Sequence, residues 1–145
     1  MTKNVAVSIA ACAALFAASG LHATLSARAQ AAADGVYTEA QAMRGATLYE
    51  EQCGPCHGAD KTGVADLFPA RIGDSFVMTW QERSVGDLFE KISTTMPALD
   101  PGSLKPEQVA DLVANILSES KYPAGATDLG SGVEALKGIT IGAPK

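Results

Sequence analysis

The sequence predicts an all-α fold of three main helices joined by long ordered loops. Three segments carry apolar residues at helical spacing, and no run alternates apolar with polar residues for long enough to make a sheet. The connections point the same way. His57 to Asp74 and Thr94 to Gly102 bear Gly and Pro and are too long for simple turns in a chain of 145 residues. Ordered loops of that length usually wrap something.

The first helix begins near Thr38, whose hydroxyl can cap the amide three residues on while Gln41 reaches back. It runs through Ala42, Gly45, Ala46 and Tyr49 to Cys53, with Met43 also at a core-like spacing. The second opens on Ser84 as cap with Asp87 at its third position, and sets Val85, Leu88, Phe89 and Ile92 on one face. The third is the clearest: Pro106 suits a first helical position, and Val109, Leu112, Val113, Ile116 and Leu117 follow at i, i+3, i+4, i+7 and i+8. Lys105 just before it is a weak cap, with Ser103 a poor substitute. After Tyr122-Pro123-Ala124-Gly125 the chain turns Gly-rich and loses period, although Leu136, Ile139 and Ile141 are able to pin it to the body.

The first residues do not read as core. Lys3 is followed by an Ala-rich apolar stretch from Val5 to Ala18 and then by Ala27-Arg28-Ala29, the layout of a secretory leader. Small residues allow cleavage after Ala29, Ala31 or Ala33. The expected division is a leader over 1–33, a domain over 34–125 and an extension over 126–145. An uncleaved anchor competes poorly, because the stretch is Ala-rich and broken by Ser8, Ser19 and Gly20, whereas a membrane helix wants about 20 strongly apolar residues. Cys12 comes too early in the leader to be a lipidation site.

Loss of the leader takes Cys12, His22, Lys3 and Arg28 with it. Eleven basic residues become nine against sixteen acidic ones, and the formal charge falls from −5 to −7. Such a chain avoids nucleic acid and anionic membranes and favours partners with basic docking surfaces. The cysteines and the histidine that remain, Cys53, Cys56 and His57, lie in one pentapeptide, Cys53-Gly54-Pro55-Cys56-His57.

In an exported protein, C-x-x-C-H is the attachment signature of c-type haem. On a tight helical turn two sulfurs reach the two vinyl groups of the porphyrin edge, and the next residue brings its imidazole beneath the iron. The haem then supplies the apolar centre that a chain with few aromatics otherwise lacks. Cys-Gly-Pro-Cys also matches the thioredoxin redox motif, and Met96-Pro97 falls where that family places a proline. A thioredoxin-like domain, however, needs an apolar strand immediately upstream, and Arg44 to Gln52 is helical in period and polar on one side. A Cys53–Cys56 disulfide is weighed no higher. Structural zinc wants four N or S ligands, and three remain.

Iron needs one further ligand, and no second histidine is left. The choice lies among Met43, Met78, Met96 and an open position, with His/Met the pairing associated with cytochromes c. Met96 is best placed, in a Thr94-Thr95-Met96-Pro97 loop between the second and third helices. Met78, beside Phe76 and Trp80, reads as a wall of the haem pocket, and a methionine is by default a flexible core filler.

From about Val36 to Gly125 the chain resembles a class I cytochrome c: an early C-x-x-C-H, a later Met-Pro loop and a closing helix. The resemblance implies a cytochrome c fold around one covalent haem c, attached through Cys53 and Cys56 with iron held by His57 and Met96. It also implies that Gly45 and Tyr49 cross the last helix near Ala110, Ala114 and Leu117, and that the Pro69 carbonyl accepts the proton on the other ring nitrogen of His57. Such a bond fixes a ligand's ring and raises its basicity. The family commonly carries Leu where this chain has Arg71, so either Ile72 fills that pocket or Arg71 turns to meet a haem propionate. More loosely, Asp74 to Trp80, Met96 to Leu104 and Tyr122 to Gly125 are similar to cytochromes that accompany periplasmic quinoprotein dehydrogenases.

The function so implied is that of a periplasmic one-electron carrier, not an enzyme, passing electrons from a dehydrogenase to a terminal oxidase or another cytochrome. A two-haem peroxidase needs a second C-x-x-C-H, and a four-helix gas sensor carries its pentapeptide near the C-terminus; neither pattern is present. A purely structural subunit of a larger complex is the remaining alternative.

Overall fold

Helix α1 (Glu39–Gln52) starts where Thr38 Oγ1 accepts the amide proton of Gln41 at 3.1 Å, as its sequence predicts. The structure, a computed structural model, describes residues 29–63 and 70–144; the leader up to Arg28 and Pro69 lie outside them. α1 is followed without a loop by the single turn α2 (Gly54–His57), then by α3 (Gly73–Trp80), α4 (Val85–Thr95), α5 (Pro106–Glu119) and the short α6 (Val133–Lys137). The three expected helices are α1, α4 and α5.

The buried face of α1 is Gln41, Ala42, Gly45 and Tyr49, and it lies across α5. Contact is closest at Gly45. A Cβ built there would stand 1.9 Å from the carbonyl oxygen of Asp111 and 2.9 Å from Asn115 Cβ, so the two backbones approach as only glycine allows. The crossing is the expected one, displaced by one residue, with Ala110, Ala114 and Leu117 buried beside it. Helix α4 is closed at its start by a reciprocal pair: Ser84 Oγ accepts from the Asp87 amide at 3.0 Å, and Asp87 Oδ2 accepts from the Ser84 amide at 2.9 Å. No side chain caps α5; the Lys105 amide donates to Gln108 Oε1 at 3.0 Å, and Ser103 turns to the Asp100 carbonyl instead.

Several expectations are corrected. Gln41 does not reach back to close a capping box; its amide is clamped on the backbone of Leu129, donating at 2.9 Å and accepting at 2.6 Å. Met43 and Met78 are 66% and 76% exposed and therefore belong neither to the core nor to a pocket wall. On α1 the inward line is 42, 45, 49, and on α3 it is Phe76 and Trp80 one turn apart, so each methionine sits well off the apolar face. α3 itself is short and was not visible as a helical period.

The segment after Gly125 is built into the domain. Leu129, Leu136, Ile139 and Ile141 are all buried in the common core. Ile139–Thr140 (β2) pairs in parallel with Gln30–Ala31 (β1), matching Gln30 to Ile139 and Ala31 to Thr140. Ala32 and Ala33, expected to leave with the leader, are buried as well. Two-residue strands carry no alternation to read, which is why the pairing escapes the sequence. Arg44 ties the same region from outside, bonding Asp111 and Asp128 at 2.9 and 2.8 Å, and Thr38 Oγ1 donates to Asp128 Oδ1. Tyr122 Oη donates to the Gly142 carbonyl and Tyr37 Oη to the Tyr122 carbonyl, both at 2.6 Å.

The Gly45→Ala variant sets overpacking of about 3 kcal/mol against a helix-propensity gain of about 1 kcal/mol. Thermal denaturation should therefore show a net loss of about 2 kcal/mol, lowering Tm by about 10 °C in a domain of this size.

Candidate functional site

Cys53 sits at the joint of α1 and α2. Its amide closes α1 by donating to the Tyr49 carbonyl at 2.8 Å, and its own carbonyl accepts from Cys56 and His57 at 3.1 and 2.8 Å. One residue thus ends one helix and begins the next, and the turn between them holds both thiols and the imidazole. Gly58, at φ +80°, takes the chain away immediately afterwards. Cys56 is exposed, Cys53 is partly covered and the His57 ring is buried.

These three side chains line a cavity of about 390 Å³. Its walls come from α3 (Trp80), α4 (Leu88 and Ile92) and α5 (Leu112 and Ile116), with Tyr49 beneath Cys53. The loop after α4 completes it. Met96 ends α4, its amide donating to the Ile92 carbonyl at 3.0 Å, and with Pro97, Ala98 and Leu99 it borders the same space. Met96 is the one methionine of the described residues on the lining, so the structure brings the four sequence-predicted site residues, Cys53, Cys56, His57 and Met96, to a single cavity. The wall is mostly hydrocarbon with few polar groups, the usual make-up of a cofactor site.

Polar groups gather on the His57 side. Arg71 Nη2 lies 3.3 Å from His57 Nε2, and its backbone amide donates to the Lys61 carbonyl at 2.8 Å. Burial lowers the pKa of this guanidinium. Burial also pushes the Tyr49 phenol up to about 12 and the Cys53 thiol up to about 11, so both keep their protons at neutral pH. Lys61, itself buried, places Nζ over the Tyr49 ring at 4.8 Å from its centre and 3.8 Å from Glu119. Tyr49 and Arg71 were legible in the sequence only as a packing residue and as a departure from a pattern. Their shared cavity wall is a three-dimensional fact.

The donor set fits a haem and does not fit a structural metal site. Two thiols stand one turn apart at the mouth of an apolar cavity that holds an imidazole and a thioether, whereas no group of three or more His, Cys, Asp or Glu side chains is arranged to hold a metal ion among the described residues. Helices around such a cavity, entered by C-x-x-C-H, define a c-type cytochrome carrying covalently bound haem c. The chain matches the model of the family cytochrome c oxidase, cbb3-type, subunit III over residues 40–116, more than half its length, and it belongs to that family. Cytochrome c domains transfer electrons, and that is the chemistry the family brings.

Among solved structures, the chain is similar to the crystal structure of the sulfane dehydrogenase SoxCD from Paracoccus pantotrophus, with a TM-score of 0.52 at 14% identity. The likeness covers 76% of this chain and 62% of that one, so this chain spans less than two thirds of its neighbour, and at that identity it speaks for the fold. No curated protein matches the chain.

Proposed function

We propose that the protein is an exported one-electron carrier whose single haem would be attached through Cys53 and Cys56, with His57 and Met96 as the residues that would hold its iron. One observation carries the reading: the pentapeptide and the Met96 loop, 40 residues apart in sequence, border the same cavity. The haem supplies a one-electron ferrous/ferric couple. The protein's own part is to hold that couple still and dry. Tyr49, Leu88, Ile92 and Leu112 exclude water, and the backbone hydrogen bonds about Cys53 hold the turn that carries the imidazole. Met96 bound to the iron would compete with dioxygen and peroxide, which favours a carrier over an enzyme. Cys56, exposed at the mouth, marks the edge through which electrons pass.

The donor in this reading is a periplasmic dehydrogenase, of the quinoprotein kind that similar cytochromes accompany, and the acceptor is a terminal oxidase or another cytochrome. No helix of the described residues is long and apolar enough to cross a membrane. Export rests on the leader. Since Gln30 and Ala31 pair with the tail and Ala32 and Ala33 are buried, cleavage after Ala29 preserves packing that cleavage before Asp34 would remove.

Three measurements test the proposal. Haem should resist acid-acetone extraction, and the oxidised protein should carry a weak far-red band from a methionine-to-iron bond that disappears in Met96→Ala while the haem stays attached; a Met96→Ala spectrum identical to that of the unaltered protein would remove Met96 from the iron. The rate of electron exchange with a basic partner should fall as ionic strength rises from 10 to 150 mM, because the Debye length shrinks from about 30 to about 8 Å; a flat rate would end the acidic-docking account. The mass of protein recovered from the periplasm should place its first residue at Gln30, against Ala32 or Asp34 for the competing cleavages.

A further inference from the structure

The chain enters its packed structure just after the bond between Ala29 and Gln30. Both of those residues are exposed, Ala31 is partly covered, and Ala32 and Ala33 are buried in the core. From Gln30 onward the segment is held: Gln30 and Ala31 pair with Ile139 and Thr140, and the Ala31 amide donates to Asp34 Oδ2 at 3.1 Å. Ala27 and Ala29 are the small residues that a signal peptidase reads before its cut. Of the three cleavable bonds, the one after Ala29 therefore lies outside the packed structure, and cutting it makes Gln30 the first residue of the mature chain.

A glutamine in first position has chemistry that an internal one lacks. Its α-nitrogen is an amine, and the carbon of its own carboxamide is placed to close a five-membered ring upon it. Gln41 is buried with its carboxamide committed in both directions to the Leu129 backbone, whereas Gln30 is exposed. Gln30 also borders a groove of about 210 Å³ lined by Val36, Leu129, Leu136 and Ile139. Among the described residues on that lining the one acid is Asp128, which already accepts from Arg44 and Thr38. A free α-amine has an ordinary pKa of about 8 and is mostly protonated at neutral pH. It would bring a charge to an apolar edge whose carboxylate is engaged. A neutral ring suits that edge and still leaves an N–H and a C=O for strand β1.

We propose that Gln30, once freed by cleavage after Ala29, closes to pyroglutamate, so that the mature protein has a blocked and uncharged amino terminus. The neutral fraction of the α-amine attacks the side-chain carbonyl carbon. A C–N bond forms to the α-nitrogen, the C–N bond to the carboxamide nitrogen breaks, and that nitrogen takes one proton from the amine and leaves as ammonia. Nothing is oxidised or reduced. The order of events is fixed, because before cleavage the same nitrogen belongs to a peptide bond and does not attack. The assignment rests on the proposed export and on cleavage after Ala29.

The test treats native holoprotein with an amine-reactive label as soon as it is released from the periplasm, and then reads the N-terminal peptide by tandem mass spectrometry. Labelling before digestion keeps cyclisation during handling from counting. The main species should start at residue 30, carry no label on its α-nitrogen and be lighter than its sequence by one ammonia. Gln30→Asn, whose shorter side chain has only a strained four-membered ring to close, should start at the same position with a labelled amine and its full mass. A main species from the unaltered protein that starts at Gln30 with full mass and a labelled amine would overturn the proposal and leave export standing. So would a blocked peptide of increased mass, the mark of acylation. A start at Ala32 or Asp34, or a leader still attached, would overturn the cleavage reading and this one with it.

Discussion

The joint at Cys53 governs the molecule. A chain that ended α1 anywhere else would separate the thiols from the imidazole, because the spacing works only on a continuous tight turn. That turn is held by Tyr49 on one side and by the amides of Cys56 and His57 on the other. Once the joint is fixed, the direction of α1 is fixed, and the cavity wall depends on how closely α5 can approach it. Gly45 answers that question by giving up its side chain. The positions of α4 and its terminal Met96 follow from what α5 leaves open.

Polarity is sorted in a way that serves such a centre. The exterior is acidic, the cavity wall is hydrocarbon, and the polar exceptions are gathered on the His57 side. Two of the exposed basic residues, Arg44 and Lys137, are tied to acids, Arg44 across α1, α5 and the tail. Exposed pairs of this kind contribute little stability singly. Their value here is directional: Arg44 and Gln41 both reach from α1 to the segment at Asp128 and Leu129, one with charge and one with an amide buried against backbone.

The parts of the fold that could be read in advance are those written in local periodicity. α4 and α5 bury the faces their spacing promised, and the Ser84 and Thr38 caps are where short polar side chains precede a helix. The chemistry was legible for a different reason: a pentapeptide whose function depends on spacing alone needs no tertiary context. What could not be read is long-range. The clasp of Gln41 on Leu129, the pairing of Gln30 with Ile139, and the close contact of Gly86 with the backbone of Lys137 each join residues about 50 or more positions apart in the chain. Met43 and Met78 misled because two or three helical positions decide between core and solvent, and a methionine suits both.

The tail meets the body at the base of α4, where Ile141 and Gly142 donate to the carbonyls of Arg83 and Gln81 and Ser84 bridges Thr140. The helix whose far end carries Met96 is thus anchored by a segment that follows the pentapeptide by more than 80 residues. In a chain delivered N-terminus first, the thiols are presented while α4 still lacks its anchor and the groove remains open on that side. Arrival of residues 139–142 then fixes the base of α4, so that the wall bearing Met96 is anchored only after the thiols have been made.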